Sequence, residues 1–256
     1  EIEEQHSYVI NAEKFKEALS QVVFASAKNE IRPELSGVYF GLFTERHHGL
    51  ILAATDSYRL AEKKVVVEQG EDESKAIVPS RTVCEIIRLI SLAKNKQAES
   101  QVRLWLSDNQ VAVRYDDFET SSRLIEGKYP DYAQIIPEKF KTSAGFPVGL
   151  MVNKIKTASL FTTTGVNAVS FDLNTSQGTI SLSSTSTQTG EHSSEIETEV
   201  VGEENSTLLN HRYVLEGLQN LNSEDAEMRV NSSNTPCLFK AKGKDDYVYV
   251  VMPIRQ

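Results

Sequence analysis

Little in this chain is available for disulfide, metal or membrane chemistry. Cysteine occurs only as Cys84 and Cys237 in 256 residues, each within an apolar pattern. Two buried free thiols are the expected state, which favours a reducing, cytoplasmic setting over a disulfide framework. No apolar run approaches the roughly 20 residues that span a bilayer, so no membrane partner is expected. No signal peptide is visible, and the chain starts at Glu1 rather than Met. A preceding segment is therefore expected, and targeting is not judged from that end. The histidines His6, His47, His48, His192 and His211 show no spacing suited to a triad or a metal site, and no GxxxxGK loop is present to cradle a phosphate. His47 and His48 are expected in a turn, TERHHG. Asp56 and Asp131 are simpler to read as turn and cap residues than as catalytic acids. No enzyme, metal or cofactor is expected. Asn-x-Ser/Thr triplets at Asn174, Asn205 and Asn231 are read as chance matches.

What the sequence does contain is a repeat. Four times a short apolar strand runs into a polar residue and then an amphipathic helix: VINAEKFKEALSQV from Val9, IVPSRTVCEIIRLI from Ile77, LMVNKIKTASLF from Leu150 and LLNHRYVLEGLQNL from Leu208. Asn11, Ser80, Asn153 and Asn210 are the expected helix caps. The helices are predicted over 12–28, 80–96, 152–163 and 210–222. After each, the apolar pattern changes to period two. Val102, Leu104 and Leu106 share one strand face and Val111, Val113 and Tyr115 another, across an Asp108-Asn109 turn. Similar alternation marks GTISLSS, EIETEVV, CLFKAKG and YVYVVMPIR, while the Ser/Thr-rich stretch 181–194 reads as strand and loop. The unit is a strand, a helix and about three antiparallel strands, an α+β arrangement with two copies in each of two domains. Pro137 and the charged KFK that follows suggest a boundary, giving domains at 1–138 and 139–256.

The formal net charge of −9 argues against a nucleic-acid binder only if charge is evenly spread. It is not: the four predicted helices sum to a positive charge, so strands and loops are more acidic than the total. In the first helix Phe15, Leu19 and Val22 face inward, while Lys14, Gln21 and Lys28 line the outer face. In the second, Val83, Ile86, Ile87 and Ile90 form the apolar stripe opposite Arg81 and Arg88. A helix-lined surface of this kind attracts phosphate. Ordinary solvated helix faces give the same pattern, and both readings stay open on charge alone.

LILAATDSYRLAEKKV from Leu50, IVPSRTVCEIIRLI, SSRLIEGKYPDYAQIIP from Ser121 and the final YVYVVMPIRQ occur in the order and approximate spacing of the bacterial β sliding clamp, the β subunit of DNA polymerase III. The resemblance covers essentially the whole chain and corresponds to that family's middle and C-terminal domains. It implies DNA clamp (processivity-fold) domains, with sheets outside and helices on an inner, DNA-facing side. It implies a non-catalytic processivity factor that encircles duplex DNA without reading sequence. Arg81 matches a basic DNA-facing position, with Lys14, Lys28, Arg88, Lys154 and Lys156 as further candidates. Asn29 and Arg32 are candidates too, although Pro33 and Glu34 stand where some relatives carry aromatics.

The resemblance also implies a groove that takes short client peptides, usually with a Gln, a Leu and a terminal Phe or Leu, between the two domains. Its wall would comprise Leu35, Thr55, Ser57, Tyr58, Leu60, Pro130, Gln134, Ile135, Val250, Val251, Met252, Pro253, Ile254 and Arg255, with Asn210 and Tyr213 opposite. Gln134 stands where an Arg often sits, and Gln256 where relatives often end in Leu. Implied clients are replicative and translesion polymerases, the clamp loader and mismatch-repair proteins. A ring interface is implied at Leu160 and Phe161 and at Glu195, Glu197 and Glu199 on an edge strand. The full-length parent would then be a homodimeric ring, and this chain, without the family's first domain, largely monomeric. Two rivals stay open: a peptide-binding module or decoy that does not encircle DNA, and a secreted β-rich binding protein.

Overall fold

The computed structural model describes residues 6–29, 31–92 and 100–255. These separate into two compact units, Glu1–Pro130 and Asp131–Gln256. The division falls before the KFK segment rather than at 138/139, because that segment is tied into the second unit. Asn231 donates through Nδ2 to the Lys139 carbonyl and accepts the Lys141 N–H, both at 2.8 Å, and the Arg229 guanidinium lies 5.8 Å from the centre of the Phe140 ring.

In the first unit β1 (His6–Asn11) leads into α1 (Ala12–Val23), followed by β2 (Gly37–Thr44), β3 (His47–Thr55) and β4 (Arg59–Val65). The pattern then repeats as β5 (Ser74–Pro79), α2 (Ser80–Leu92), β6 (Gln101–Leu106), β7 (Gln110–Tyr115) and β8 (Phe118–Arg123). The strand before each helix does not stay with its own repeat. β1 pairs with β6, setting Tyr8 opposite Leu104, and β5 pairs with β2, setting Val78 opposite Val38. The sheets are therefore β1-β6-β7-β8 and β4-β3-β2-β5, each completed by a strand from the other repeat. That exchange interlocks the repeats.

The second unit follows the same plan with β9 (Thr142–Pro147), α3 (Val148–Ser159), β10 (Ala168–Asn174), β11 (Thr179–Ser186), β12 (Gly190–Glu197) and a short β13 (Val200–Gly202). Then come β14 (Asn205–Asn210), α4 (His211–Gln219), β15 (Asp225–Val230), β16 (Cys237–Ala241) and β17 (Tyr247–Val251). β14 joins β10 and β9 joins β15, giving β12-β11-β10-β14 and β13-β9-β15-β16-β17. Among the described residues the pairings within each unit are antiparallel, and the alternation expected for β6 and β7 is seen: Val102, Leu104, Leu106, Val111, Val113 and Tyr115 are all buried.

Two caps form as expected. The Asn11 side chain accepts the Lys14 N–H and the Asn210 side chain accepts the Arg212 N–H, satisfying free donors of the first turn. Two do not. Ser80 is the first residue of α2, and its hydroxyl faces Ser26 Oγ at 2.8 Å and the Ser36 carbonyl. Asn153 lies inside α3, which begins at Val148 because the Val148 N–H is satisfied at 2.8 Å by the Glu224 carbonyl, a partner distant in sequence. α1 stops at Val23, where Ser26 turns its hydroxyl onto the Val23 carbonyl, so Lys28 lies beyond the helix. The expected residues 93–96 of the second helix, like Gln256, fall outside the described residues.

Burial corrects further expectations. Gln21 is buried, not outward, because α1 packs against α2 as well as against the sheet. Cys84 is exposed, one position off the Val83, Ile86 and Ile90 stripe, while Ile87 is half-buried. Cys237 is buried as expected, and desolvation pushes its thiol up, leaving it neutral and unreactive. His47 and His48 open β3; the turn before them is Glu45-Arg46, reached through a bulge with Phe43 at φ +47°.

Candidate functional site

The TDSYRL segment forms one tight turn between β3 and β4. The Asp56 carboxylate accepts the N–H groups of Tyr58 and Arg59 at 3.0 and 3.1 Å. The Thr55 hydroxyl donates to the Arg59 carbonyl at 2.6 Å and accepts the Ser57 N–H at 3.1 Å. These bonds hold Ser57 at φ +78°, a left-handed conformation that costs on the order of 1 kcal/mol for a residue with a Cβ. Asp56 is thus a turn-forming residue, as read from the sequence.

Tyr129, from the YPDY segment, closes the turn from behind. Its hydroxyl accepts the Thr55 N–H at 3.1 Å, and its ring stacks on Tyr39 with centroids 5.4 Å apart. Burial raises its phenol well above the usual tyrosine range, so it stays neutral at ordinary pH. Tyr129→Phe leaves a buried N–H without this acceptor and is expected to cost about 1–3 kcal/mol, read as a lower urea midpoint at unchanged slope.

This scaffold presents Tyr58, which is 64% exposed at the tip of the turn, beside exposed Ser57. Leu35, Thr55 and Leu60 are buried rather than lining an open surface; Pro130 is half-buried. An aromatic held on a pinned turn loses little freedom on contact with a ligand.

The second unit carries its own set. β17 ends at Val251 and Pro253 lacks an N–H to extend it. Val250 and Val251 are core residues, whereas Met252, Pro253 and Ile254 are half-buried and Arg255 exposed. The Ile254 N–H donates to the Leu208 carbonyl at 2.8 Å, fixing this segment beside the end of β14. Asn210 is committed to capping α4, and the Tyr213 carbonyl accepts the Tyr249 hydroxyl at 2.8 Å. Ile135 is 38% exposed, and the exposed Gln134 donates to Asp131 at 2.8 Å; Asp131 precedes the short turn Tyr132–Ile135 but does not cap it with its side chain.

Among the expected DNA-facing residues, Lys14, Lys28, Asn29, Arg81 and Lys156 are exposed and Lys154 half-buried. Arg88 is exposed but held by both oxygens of Glu85, and Arg32 by Glu34 at 3.0 Å, which reduces what either offers a phosphate.

β12 is an edge strand, with Glu195, Glu197 and the following Glu199 exposed and Ile196 buried. Leu160, which caps the end of α3, is 68% exposed; Phe161 is half-buried and stacks on His192 with centroids 5.4 Å apart. A simple signal marks this region: no Lys or Arg occurs between Lys156 and Arg212. The edge is therefore suited to solvent or to a cationic partner.

Comparison with known proteins matches residues 9–131 to the DNA polymerase III beta subunit, central domain, and residues 133–255 to the DNA polymerase III beta subunit, C-terminal domain. The chain is 30% identical over 257 residues to the beta sliding clamp of Streptococcus pneumoniae, covering 100% of this chain and 66% of that protein. It is 28% identical over 247 residues to the beta sliding clamp of Staphylococcus aureus, covering 96% of this chain and spanning 63% of the relative's length. The crystal structure of the DNA polymerase sliding clamp from Bacillus subtilis superposes with a TM-score of 0.91 at 27% identity, covering 100% of this chain and 66% of that one.

Proposed function

Because the chain belongs to the DNA polymerase III beta subunit family, we propose that it serves DNA replication as clamp domains that capture client proteins by short linear peptides and face duplex DNA. The observation that carries this reading is that accessible apolar surface is left on the pinned Tyr58 turn of unit 1 and, separately, on the half-buried Met252-Pro253-Ile254 segment of unit 2. Apolar side chains, one of them a flexible Met, suit varied peptides, while a few polar groups fix a peptide backbone. Polymerases, a clamp loader and repair proteins are the proposed client classes. Such tethering needs no reaction of its own, and no catalytic role is assigned to any residue.

Duplex DNA is the second proposed partner, met through exposed cations on the helices and on the segment after α1. Contacts to phosphate alone are weak, salt-sensitive and indifferent to sequence, as sliding requires. The acidic β12 edge with Leu160 and Phe161 is proposed as an assembly surface for a basic partner edge.

The test is a titration of the 256-residue chain with a fluorescent peptide carrying Gln, Leu and a terminal Phe, beside a scrambled control. Saturable binding of the first alone is expected. Duplex DNA is expected to bind far more weakly, with steep salt dependence, and Arg81→Glu to weaken it further. Tight, sequence-specific duplex binding, or equal binding of the two peptides, contradicts the proposal.

A further inference from the structure

Arg59, the first residue of β4, is only 4% exposed although it carries a full charge. Burying a guanidinium is costly unless its donors are matched, and here they are matched by two different parts of unit 1. Nε donates to the Asp56 carboxylate at 3.1 Å, and Nη2 donates to the Phe24 carbonyl at 3.0 Å. The guanidinium also lies 5.5 Å from the centre of the Phe24 ring.

The two acceptors belong to different surfaces. Asp56 folds the turn that presents Tyr58. Phe24 caps α1 and opens the segment bearing Lys28, Asn29 and Arg32. Its carbonyl lies at the negative end of the helix, where a cation is favoured. The far end of that segment is also fastened. The Ala27 N–H donates to the Leu35 carbonyl at 2.8 Å, and Ser80, the residue before Arg81, reaches Ser26.

We propose that Arg59 is a positioning residue that couples the peptide-binding turn to the DNA-facing segment of unit 1. Occupation of the turn by a client peptide alters the segment around Lys28 and so its affinity for duplex, and duplex contact alters peptide affinity by the same factor. The guanidinium fork is essential because it meets two acceptors at once; an ammonium keeps the charge but not the two-sided geometry. The inference rests on the peptide-binding reading above.

The experiment is an amide-resolved NMR titration of the 256-residue chain with the unlabelled Gln/Leu/Phe peptide. The Ser57 and Tyr58 amides are expected to shift, and those of Ala27, Lys28 and Asn29 to shift with the same dissociation constant. In Arg59→Lys the turn amides still titrate, with affinity reduced by no more than about tenfold, but the Ala27–Asn29 response is lost. Should that variant fail to fold, Phe24→Leu keeps the carbonyl and removes the ring beneath the guanidinium, and it is expected to diminish the same response. A wild-type segment that stays still while the turn titrates overturns the coupling, as does an undiminished response in the variant that folds. If no turn amide titrates in the wild type, the peptide-binding reading itself fails, which is a distinguishable result.

Discussion

Met252→Asp is expected to weaken client-peptide binding at least tenfold, about 1.4 kcal/mol. Met252 is half-buried in the segment that the Ile254 N–H fastens to the Leu208 carbonyl, with core residues Val250 and Val251 preceding it. A carboxylate there must either stay hydrated, and so obstruct an apolar ligand, or lose water without a partner. Met252→Leu conserves volume and apolarity and is expected to bind within about threefold of the wild type. An aspartate variant that folds normally and keeps full affinity places the peptide elsewhere.

Gly217→Ala is expected to lower the stability of unit 2 by on the order of 3 kcal/mol. In an ordinary helix interior this change stabilises by about 1 kcal/mol, since Ala is the better helix former. Packing reverses the sign here. A Cβ at position 217 would stand 2.0 Å from Cε1 of Tyr249, and the helix would have to move off β17. The tyrosine has little room to yield: it is fully buried, and its hydroxyl donates to the Tyr213 carbonyl. Gly149→Ala in α3 is the control, because a Cβ there meets nothing within 4 Å; it is expected to be neutral or slightly stabilising. Thermal melts of both variants decide the point, and equal melting temperatures would falsify the packing argument.

The periodic features of the sequence carried over to the structure and the long-range ones did not. Phe15, Leu19 and Val22 on α1, and the alternating residues of β6 and β7, are buried where a 3.6-residue or two-residue period puts them. Nothing local reveals that β1 and β5 exchange sheets, since strand pairing is settled by partners far along the chain. The same limit explains α3, whose start depends on the Glu224 carbonyl, and Gln21, whose burial depends on α2. At the candidate site the sequence named segments but not which of their side chains are buried. Leu35, Thr55, Leu60, Val250 and Val251 lie in the core, while Tyr58 and the Met252–Ile254 stretch keep accessible surface. Tyr129 and Arg59 act from behind the turn, through bonds to Thr55 N and Phe24 O that sequence spacing does not announce.

Contact of client peptides with the Tyr58 turn of unit 1, and with the Met252–Ile254 segment of unit 2, is the central proposal. It is tested most directly by photo-crosslinking a Gln/Leu peptide whose terminal Phe is replaced by a benzophenone analogue, then locating the modified residues by mass spectrometry. Adducts are expected within 55–60 and within 250–255, suppressed by excess unlabelled peptide. Saturable adducts confined to other segments, or none that unlabelled peptide displaces, would contradict the account.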